Sequence, residues 1–358
     1  MDVSLARTGR YARAGGRWAR LLTSGRAKHG VRVFYGHDRV PSPGERAAGG
    51  TAKAQKLNER FPNSPADFSL LYLGTTWLPR DLAPLLWIAG RRSAPIVVNQ
   101  DGVAYPGWAG DRVEVLNRPL RQALHAANHV VYQSDFSKRS ADLFLGEPRG
   151  TWEVLPNAVD TSHFTPGVAG VRSAGPVLLL GGDQTQEYRL ELALRTLGAL
   201  MSRHPDASLL ITGRLVASPD ALIDELGLRG RVHLLGEYAQ RDAPGIFRRA
   251  DLLLHTKVND PCPTLVLEAM ACGLPVVYAA SGGTVELVGH VGGIGVPHPD
   301  SWELDEPPEP EALADAVDRV LADLPRYAAG ARARVVERFA LEPWLERHAE
   351  IFEELAPR

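Results

Sequence analysis

The sequence predicts an α/β protein built from two domains, each a parallel sheet with helices on both faces. The chain has 358 residues, enough for two domains that each bury a core of their own. Short apolar segments of strand length alternate with helical segments through both halves, as in parallel sheets that are covered on both faces. Between the halves, residues 165–176 contain Gly, Pro and Ser without periodicity, which indicates a linker.

The strand-like segments form two groups, one on each side of this linker. In the first half, Gly49-Gly50 opens the helical stretch that follows the first strand. In the second half, a helix over residues 190–200 follows the first strand, and two helices come after residue 310, the last over residues 342–355. The predicted strands are residues 31–35, 68–72, 95–98, 129–132, 152–155, 176–180, 208–211, 232–235, 251–254 and 275–278.

This pattern divides the chain into four parts. We predict a basic extension over residues 1–29, an N-terminal domain over 30–167, a C-terminal domain over 168–335 and a closing helical segment over 336–358. Two such domains in tandem are expected to bind a ligand in the cleft between the carboxyl ends of their strands.

The composition excludes several classes of protein. A hydrophobic content of 44% and a charged content of 23% are ordinary for a soluble globular protein, and the net charge of −2 argues against nucleic acid as the partner. The only two cysteines, Cys262 and Cys272, are too few for a zinc cluster or a disulfide scaffold, so we expect a reducing cytoplasm. No apolar run reaches the ~18 residues of a membrane span, and no signal-peptide core is evident.

The first 29 residues are strongly basic. They contain six arginines, one lysine and one aspartate, which leaves about six positive charges. Most of these arginines recur every three or four residues, so a helical arm would place them on one face. With Trp18 and Leu21 nearby, such an arm could contact an anionic membrane surface. A solvated extension is the alternative, because the glycines of the arm weaken any helix.

Residues 260–278 (DPCPTLVLEAMACGLPVVY) carry the strongest chemical signal. They predict a polar loop, a short helix opened by prolines, a glycine stop and a buried strand. A helix start offers unpaired N–H groups and a positive dipole end to an anion. Asp260 and Glu268 lie about 12 Å apart along a mostly helical path at ~1.5 Å per residue, so they would contact different parts of an elongated ligand. Alternatively, Asp260 is the N-cap of a helix that begins at Pro261.

Several other segments complete a recognisable signature around this one. They are residues 132–138 (YQSDFSK), 155–166 (LPNAVDTSHFTP), 230–236 (GRVHLLG), 247–254 (FRRADLLL), 281–288 (SGGTVELV) and 339–344 (FALEPW). Together they resemble GT-B glycosyltransferases, most closely family 4, the large retaining group. The resemblance spans ~31–356, strongly in the second half and more loosely in the first. It implies two Rossmann-like domains facing a central cleft, with a C-terminal helix that crosses back to the N-terminal domain.

The resemblance assigns roles to the carboxylates and to the helix start. Family 4 carries a Glu-x7-Glu pair, and Asp260 and Glu268 fall on its positions, the first shortened by one methylene. This implies that Asp260 is catalytic and faces the donor sugar, and that Glu268 binds the ribose hydroxyls. The backbone amides of Thr264 and Leu265 would bind the diphosphate or the sugar.

Four glycines are further candidates on the donor side. Gly282 and Gly283 follow the strand over residues 275–278, where the backbone could closely approach a ligand, although an ordinary turn explains them as well. Gly49 and Gly50 lie where the family keeps its first glycine loop.

The phosphate-binding loop departs from the family pattern. Relatives place an Arg and then a Lys-Gly after the first strand of the second domain. Here residues 181–189 read GGDQTQEYR, with a glycine at the Arg position and Tyr188 at the Lys position. Arg189 is the nearest cation, and its guanidinium suits phosphate oxygens, so we predict that it contacts the diphosphate. The alternative is an ordinary surface residue of a helix.

In the first domain, Gln100 and Asp101 end an apolar strand where many relatives keep a histidine at the catalytic site. One of them would have to contact the sugar, with Asp101 as the catalytic candidate and Gln100 on the acceptor side. An Asp-Gly turn is the alternative. Asn157 and Ser134 are further acceptor-side candidates, although both residue types also suit turns and caps.

These features predict a retaining transferase that moves a sugar from a nucleoside diphosphate sugar to a hydroxyl acceptor, with no cofactor beyond that donor. The acceptor could be a glycan, a glycolipid or a small molecule. No metal is expected, because the chain has no Asp-x-Asp and because helix ends and arginine can bind phosphate instead. Two alternatives stay open: a degenerate GT-B binding or partner subunit, suggested by the altered loop, and a sugar-nucleotide epimerase on the same scaffold.

Overall fold

The computed structural model describes residues 30–43, 45, 49–167 and 175–356. The predicted basic arm, residues 1–29, lies outside the described residues, as do residues 168–174 of the predicted linker. Across the described part of the chain, no helix combines the length and the apolar character needed to cross a membrane.

The N-terminal half forms a parallel sheet whose five strands lie in sequence order, β1-β2-β3-β4-β5. All five predicted strands of this half are present, with ends that shift by at most two residues. The strands are β1 (Val33–Phe34), β2 (Leu70–Gly74), β3 (Ile96–Gln100), β4 (His129–Tyr132) and β5 (Thr151–Val154). The helices are α1 (Gly50–Arg60), α2 (Leu82–Arg91), α3 (Pro106–Ala109), α4 (Val113–Ala126) and α5 (Asp135–Phe144).

Helices cover both faces of this sheet, and one connection is unusual. Leu85 of α2, Leu124 of α4 and Ala141 of α5 share one face with Leu71, whereas Leu57 of α1 packs on the opposite face. In β1-α1-β2, as in the three β-α-β units that follow, the second strand is added on the same side of the first strand within the sheet. The helix of β1-α1-β2 nevertheless lies on the other face of the sheet. Its crossover therefore has the opposite hand to theirs. Because parallel crossovers are right-handed in nearly all proteins, β1-α1-β2 is the exception.

The C-terminal half forms a parallel sheet of strand order β11-β10-β9-β6-β7-β8. The five predicted strands are present, but β11 was missed because its sequence, GIGV, is half glycine. The strands are β6 (Val177–Leu180), β7 (Ser208–Thr212), β8 (Val232–Gly236), β9 (Leu252–His255), β10 (Val276–Ala279) and β11 (Gly293–Val296). The helices among them are α6 (Glu187–Leu200), α7 (Asp220–Glu225), α8 (Ala243–Phe247), α9 (Thr264–Ala271) and α10 (Thr284–Val288).

The strand order of this sheet reverses between β6 and β9. Helices α6 and α7 pack on one face and α8, α9 and α10 on the other, as the reversal requires when every crossover keeps one hand. In open parallel sheets, the loops that leave the two strands at such a point diverge and form a crevice for ligands. Here those loops are residues 181–186, after β6, and residues 256–263, after β9.

The tail contains three helices rather than the two predicted: α11 (Pro310–Ala322), α12 (Leu324–Arg338) and α13 (Leu341–Leu355). Asp323 leaves the helical conformation between α11 and α12, which splits what the sequence presents as one long helical stretch. Helix α13 returns to the first sheet, where Trp344 and Phe352 pack against Tyr72 and Leu57. The prediction that the C-terminal helix crosses back to the N-terminal domain is confirmed.

Candidate functional site

The segment between β9 and α9 passes over the carboxyl edge of the second sheet. Helix α9 begins only at Thr264, Pro263 takes the N-cap position, and no side chain caps the helix. The alternative role of Asp260 as N-cap is therefore wrong, since Asp260 lies three residues before that position. The first-turn amides of Thr264 and Leu265 point out of a helix start that lacks a side-chain cap, as an anion site needs.

The carboxylate of Asp260 lies in a buried cluster of nitrogen-bearing side chains. Its Oδ2 is 3.1 Å from Lys257 Nζ and 3.7 Å from His255 Nε2. Burial by itself raises the pKa of Asp260, but Lys257, His255 and Arg189 outweigh it and hold that pKa below its usual value. Asp260 is therefore an ionised carboxylate at neutral pH, able to accept hydrogen bonds from hydroxyl groups.

Arg189 lies at the start of α6, within electrostatic range of Asp260. It is only 5% exposed, so it is not the surface residue of the alternative interpretation. One guanidinium nitrogen donates to the Asp183 carbonyl at 2.8 Å, while Nε has no hydrogen-bond partner among the described residues. A Cβ on Gly181 would come within 2.7 Å of the Leu265 side chain, so this loop packs tightly against α9.

Glu268 lies in the middle of α9 and is buried. Its Oε1 accepts a 2.5 Å hydrogen bond from Gln240 Nε2, and the ammonium group of Lys56, from the N-terminal domain, favours its ionised form. Burial raises the pKa of Glu268 to about 7, against the opposing effects of Lys56 and Gln240. Near neutral pH, this carboxyl group is thus divided between its neutral and ionised forms.

Gly282 and Gly283 lie directly against the backbone of the Asp260 loop. Gly283 N donates to the Asp260 carbonyl at 2.9 Å. Gly282 has φ +65°, and a Cβ there would lie 2.4 Å from that same carbonyl oxygen, while a Cβ on Gly283 would lie 1.9 Å from the Pro261 carbonyl oxygen. Both glycines are required because two backbones meet here. Contact between them and a donor stays a prediction.

The acceptor-side candidates Ser134 and Asn157 join the two domains. Ser134 Oγ donates to the Pro261 carbonyl at 2.7 Å, and Asn157 Nδ2 donates to the Cys262 carbonyl at 2.8 Å. Their polar atoms thus bind the backbone of the Asp260 loop, instead of facing open space for an acceptor as we expected. Contact with an acceptor remains a prediction for both.

The carboxylate of Glu286, in the first turn of α10, also joins the domains. Glu286 of α10 accepts hydrogen bonds from Asp135 N at 2.8 Å and from Phe136 N at 2.9 Å, both in the first turn of α5. Ser134 caps the same turn by accepting from Ser137 N. The N-terminus of α5 is therefore capped partly by the other domain.

In the first domain, Asp101 is a fully engaged buried residue. One of its oxygens pairs with Lys53 of α1, and the other accepts from the backbone N and the hydroxyl of Thr76. Burial lowers the pKa of Lys53 well below that of a free lysine, whereas an ionised Asp101 in contact with it favours the ammonium form. This arrangement differs from the accessible catalytic carboxylate that we expected, although it allows Asp101 to position its neighbours.

Gly49 and Gly50 form part of the same arrangement. Gly50 N donates to Thr76 Oγ1 at 2.6 Å, and Gly49 has φ +53°, with no room for a Cβ beside that hydroxyl. The side chain of Gln100 is fully buried, and its Oε1 has no hydrogen-bond partner among the described residues. Gln100 is therefore the first-domain candidate that still offers an unpaired polar atom.

A segment that the sequence analysis missed crosses from one domain to the other. Residues 297–309, between β11 and α11, carry Trp302, which stacks on Phe136 at 5.2 Å between ring centres. Asp305 of this segment accepts from Tyr105 Oη and from Gln186 Nε2, both at 2.9 Å. It thus connects the first domain to the loop after β6. A lone Trp among acidic and proline residues was the only sequence signal.

The comparisons with known proteins agree with this architecture. Residues 168–335 match the family model described as Glycosyl transferases group 1. D-inositol 3-phosphate glycosyltransferase from Corynebacterium jeikeium is 26% identical over 306 residues, 78% of this chain and 70% of that protein. The protein of the same name from Mycobacterium bovis is 30% identical over 257 residues, 65% of this chain and 48% of that protein. The chain therefore spans about half the length of this mycobacterial relative.

Solved structures show the same fold. Anabaena HepE in complex with UDP has a TM-score of 0.66 at 22% identity, over 80% of this chain and 79% of that chain. Sucrose-phosphate synthase from Thermosynechococcus elongatus has a TM-score of 0.64 at 20% identity, over 85% of this chain and 76% of that chain. Together with the two parallel sheets, these likenesses confirm the GT-B fold.

Among the described residues, no group of three or more His, Cys, Asp or Glu could hold a metal ion.

The Lys53–Asp101 pair leads to a prediction about stability. We expect Lys53→Met and Asp101→Asn each to lower the free energy of unfolding by about 3 kcal/mol or more, because each leaves a buried group without its partner. The double variant should recover much of this loss, because the introduced amide oxygen can still accept from Thr76 N and no unpaired charge remains. Denaturant unfolding of all four proteins measures the coupling. Strictly additive losses would show that the two residues do not act as a pair.

Proposed function

We propose that this protein is a retaining glycosyltransferase of the GT-B class, similar to family 4, which transfers a sugar from a nucleoside diphosphate sugar to a hydroxyl acceptor. One observation carries the proposal. An ionised carboxylate, Asp260, a buried carboxyl group, Glu268, and a helix start without a side-chain cap lie together where the second sheet meets the first domain. The family match over residues 168–335 supports it.

Each part of this arrangement suits one part of the donor. The first-turn amides of α9 and the guanidinium of Arg189 suit the diphosphate, since both offer N–H donors to an anion. Glu268 suits the paired hydroxyls of a ribose, which an ionised carboxylate can bind with both oxygens. Asp260 lies in the loop that contacts the first domain, and its carboxylate suits a hydroxyl group of the donor sugar.

We propose that transfer proceeds on one face of the sugar. The bond between the anomeric carbon and the diphosphate oxygen breaks, and the diphosphate takes up the charge. The acceptor oxygen then bonds to the anomeric carbon from the same side, and its proton passes to a β-phosphate oxygen. Asp260 orients the sugar, while Arg189 and the start of α9 stabilise the charge that develops on the leaving group.

The contacts between the domains support this sequence of events. Ser134, Asn157 and Glu286 hold the Asp260 loop and α10 against the first domain. A closed cleft excludes water, which would otherwise compete with the acceptor for the anomeric carbon. The relatives named above give D-inositol 3-phosphate in their name, so that compound belongs in any acceptor panel for this chain.

Substitution of the two carboxylates tests the proposal. We expect Asp260→Asn to lower the turnover number by about 100-fold, with the Kd for the nucleoside diphosphate nearly unchanged, since the change removes a contact to the reacting sugar. Glu268→Gln should instead raise that Kd by about tenfold, because a hydrogen bond to a charged group is worth about 1.5–3 kcal/mol. Diphosphate release and calorimetry measure the two quantities.

Glu353→Gln is the matched control, because this glutamate is exposed on α13 and distant from the cleft. If wild type binds nucleoside diphosphates but never turns over a sugar donor, the chain is a degenerate binding subunit instead. If it converts the donor without an acceptor, it is an epimerase. Equal kinetics for both site variants and wild type would remove the assigned roles of Asp260 and Glu268.

The raised pKa of Glu268 leads to a separate prediction about pH. If the ionised carboxylate binds the ribose, protonation in the free protein competes with binding as the pH falls through about 7. Nucleotide affinity should therefore be about tenfold lower at pH 6 than at pH 8. Glu268→Gln should lose that part of the pH dependence but keep the part that the phosphate itself contributes. The same pH profile in both proteins would contradict the assignment.

A further inference from the structure

Three nitrogen-bearing side chains surround the carboxylate of Asp260. Lys257 and Arg189 are two cations against this one carboxylate, and His255 is neutral because burial lowers its pKa to about 4. Two other carboxylates, Asp183 and Asp305, lie within electrostatic range of these cations. Asp183 pairs with Arg214, and Asp305 accepts from Tyr105 and Gln186. Among the described residues, Lys257 forms its ion pair with Asp260 and the Arg189 guanidinium pairs with no carboxylate, so both groups can bind an anion that enters beside them.

The geometry shows where that anion would lie. Arg189 is nine-tenths buried, and its Nε lacks a hydrogen-bond partner among the described residues. Helix α9 starts nearby without a side-chain cap. A buried guanidinium nitrogen without a partner and an uncapped helix start, both beside Asp260, are independent indications of a bound anion.

Lys257 is a second cation beside Asp260. It lies in the loop after β9, and its neighbour Val258 donates its backbone N–H to the hydroxyl of Tyr188 at 3.1 Å. The loop that carries Lys257 therefore lies directly against α6, the helix that carries Arg189. The Lys257 side chain is 34% exposed, while that of Asp260 is 14% exposed, so the ammonium group lies closer to solvent than its partner.

We propose that Lys257 is a diphosphate-binding residue and that Asp260 holds it in position until the donor arrives. This inference rests on the proposed function and adds to it a residue that the family pattern does not include. Tyr188 occupies the position where relatives keep a lysine, and Lys257 supplies a cation from the neighbouring loop.

The proposal also gives the ion pair a role in the reaction. When the diphosphate enters, the ammonium group of Lys257 moves from Asp260 to a phosphate oxygen. The flexible lysine side chain allows this exchange without movement of the backbone. The carboxylate of Asp260 is then released to accept a hydrogen bond from a sugar hydroxyl. Diphosphate binding and sugar orientation are thereby coupled through one ion pair.

Calorimetric titration of the full chain with UDP and with uridine tests this proposal, and GDP with guanosine and ADP with adenosine are run in parallel. We expect Lys257→Ala to weaken diphosphate binding about 10- to 100-fold and to leave nucleoside binding unchanged. Lys257→Arg should restore most of the affinity. Asp260→Asn should bind the diphosphate as tightly as wild type or more tightly, because Lys257 then has no competing carboxylate.

Lys138→Ala is the control, because it also removes a lysine that is paired with an aspartate, Asp142, but on α5. It should leave both affinities unchanged. Equal loss of diphosphate and nucleoside binding in Lys257→Ala would indicate a general structural defect and would overturn the proposal. So would unchanged diphosphate affinity.

Failure of the inference and failure of the proposed function give different results. If wild type binds a diphosphate and Lys257→Ala binds it equally well, Lys257 has no such role and the proposed function stands. If wild type binds none of the three diphosphates, both the proposed function and the role of Lys257 fall.

Discussion

The docking of the Asp260 loop onto the first domain is the interaction on which the site depends. Residues 260–263 belong to neither a helix nor a strand, so their buried backbone groups need partners from elsewhere. Ser134 and Asn157 supply two of these partners from the first domain, and the backbone N–H of Gly283 supplies a third from the second domain. The position of Asp260 is thus set jointly by both domains, and opening the cleft would release the loop.

This dependence connects the fold to the chemistry. The reversal of strand order between β6 and β9 opens the crevice, and the segments after these two strands carry Arg189 and Asp260 to its edge. The segment over residues 297–309 then spans the same edge, with Trp302 against the first domain and Asp305 against the loop after β6. The predicted ligand-binding residues and the contacts between the domains therefore lie on the same few loops.

Much of the fold could be predicted from the sequence because local patterns decide it. Ten apolar runs became ten strands, and within the described ranges only β11, half glycine, was missed. The tail was less predictable, because α11 and α12 read as one continuous helical stretch until Asp323 breaks it. The crossover β1-α1-β2 could not be predicted either, since nothing in α1 indicates which face of the sheet it will cover.

The residues of the site also differ in whether a local sequence pattern predicts them. Asp260 and Glu268 belong to one contiguous motif, and Arg189 follows the first strand of the second domain; the structure brings all three to the cleft region. Contacts between distant residues carry no such local signal. The pairing of Lys53 with Asp101 and the capping of α5 by Glu286 both depend on tertiary packing. For that reason the sequence could not show that Asp101, predicted as a catalytic candidate, is a buried ion-pair partner of Lys53.

The central claim is that the cleft beside Asp260 binds a nucleoside diphosphate sugar. A thermal-shift panel of UDP, GDP and ADP with their sugars tests it most directly, because a ligand of the folded state stabilises it by about 2.7 kcal/mol at 100 times its Kd. The account predicts that one nucleotide and its sugar raise the melting temperature by a few degrees in a concentration-dependent manner. No stabilisation by any member of the panel, at millimolar concentration, would contradict it.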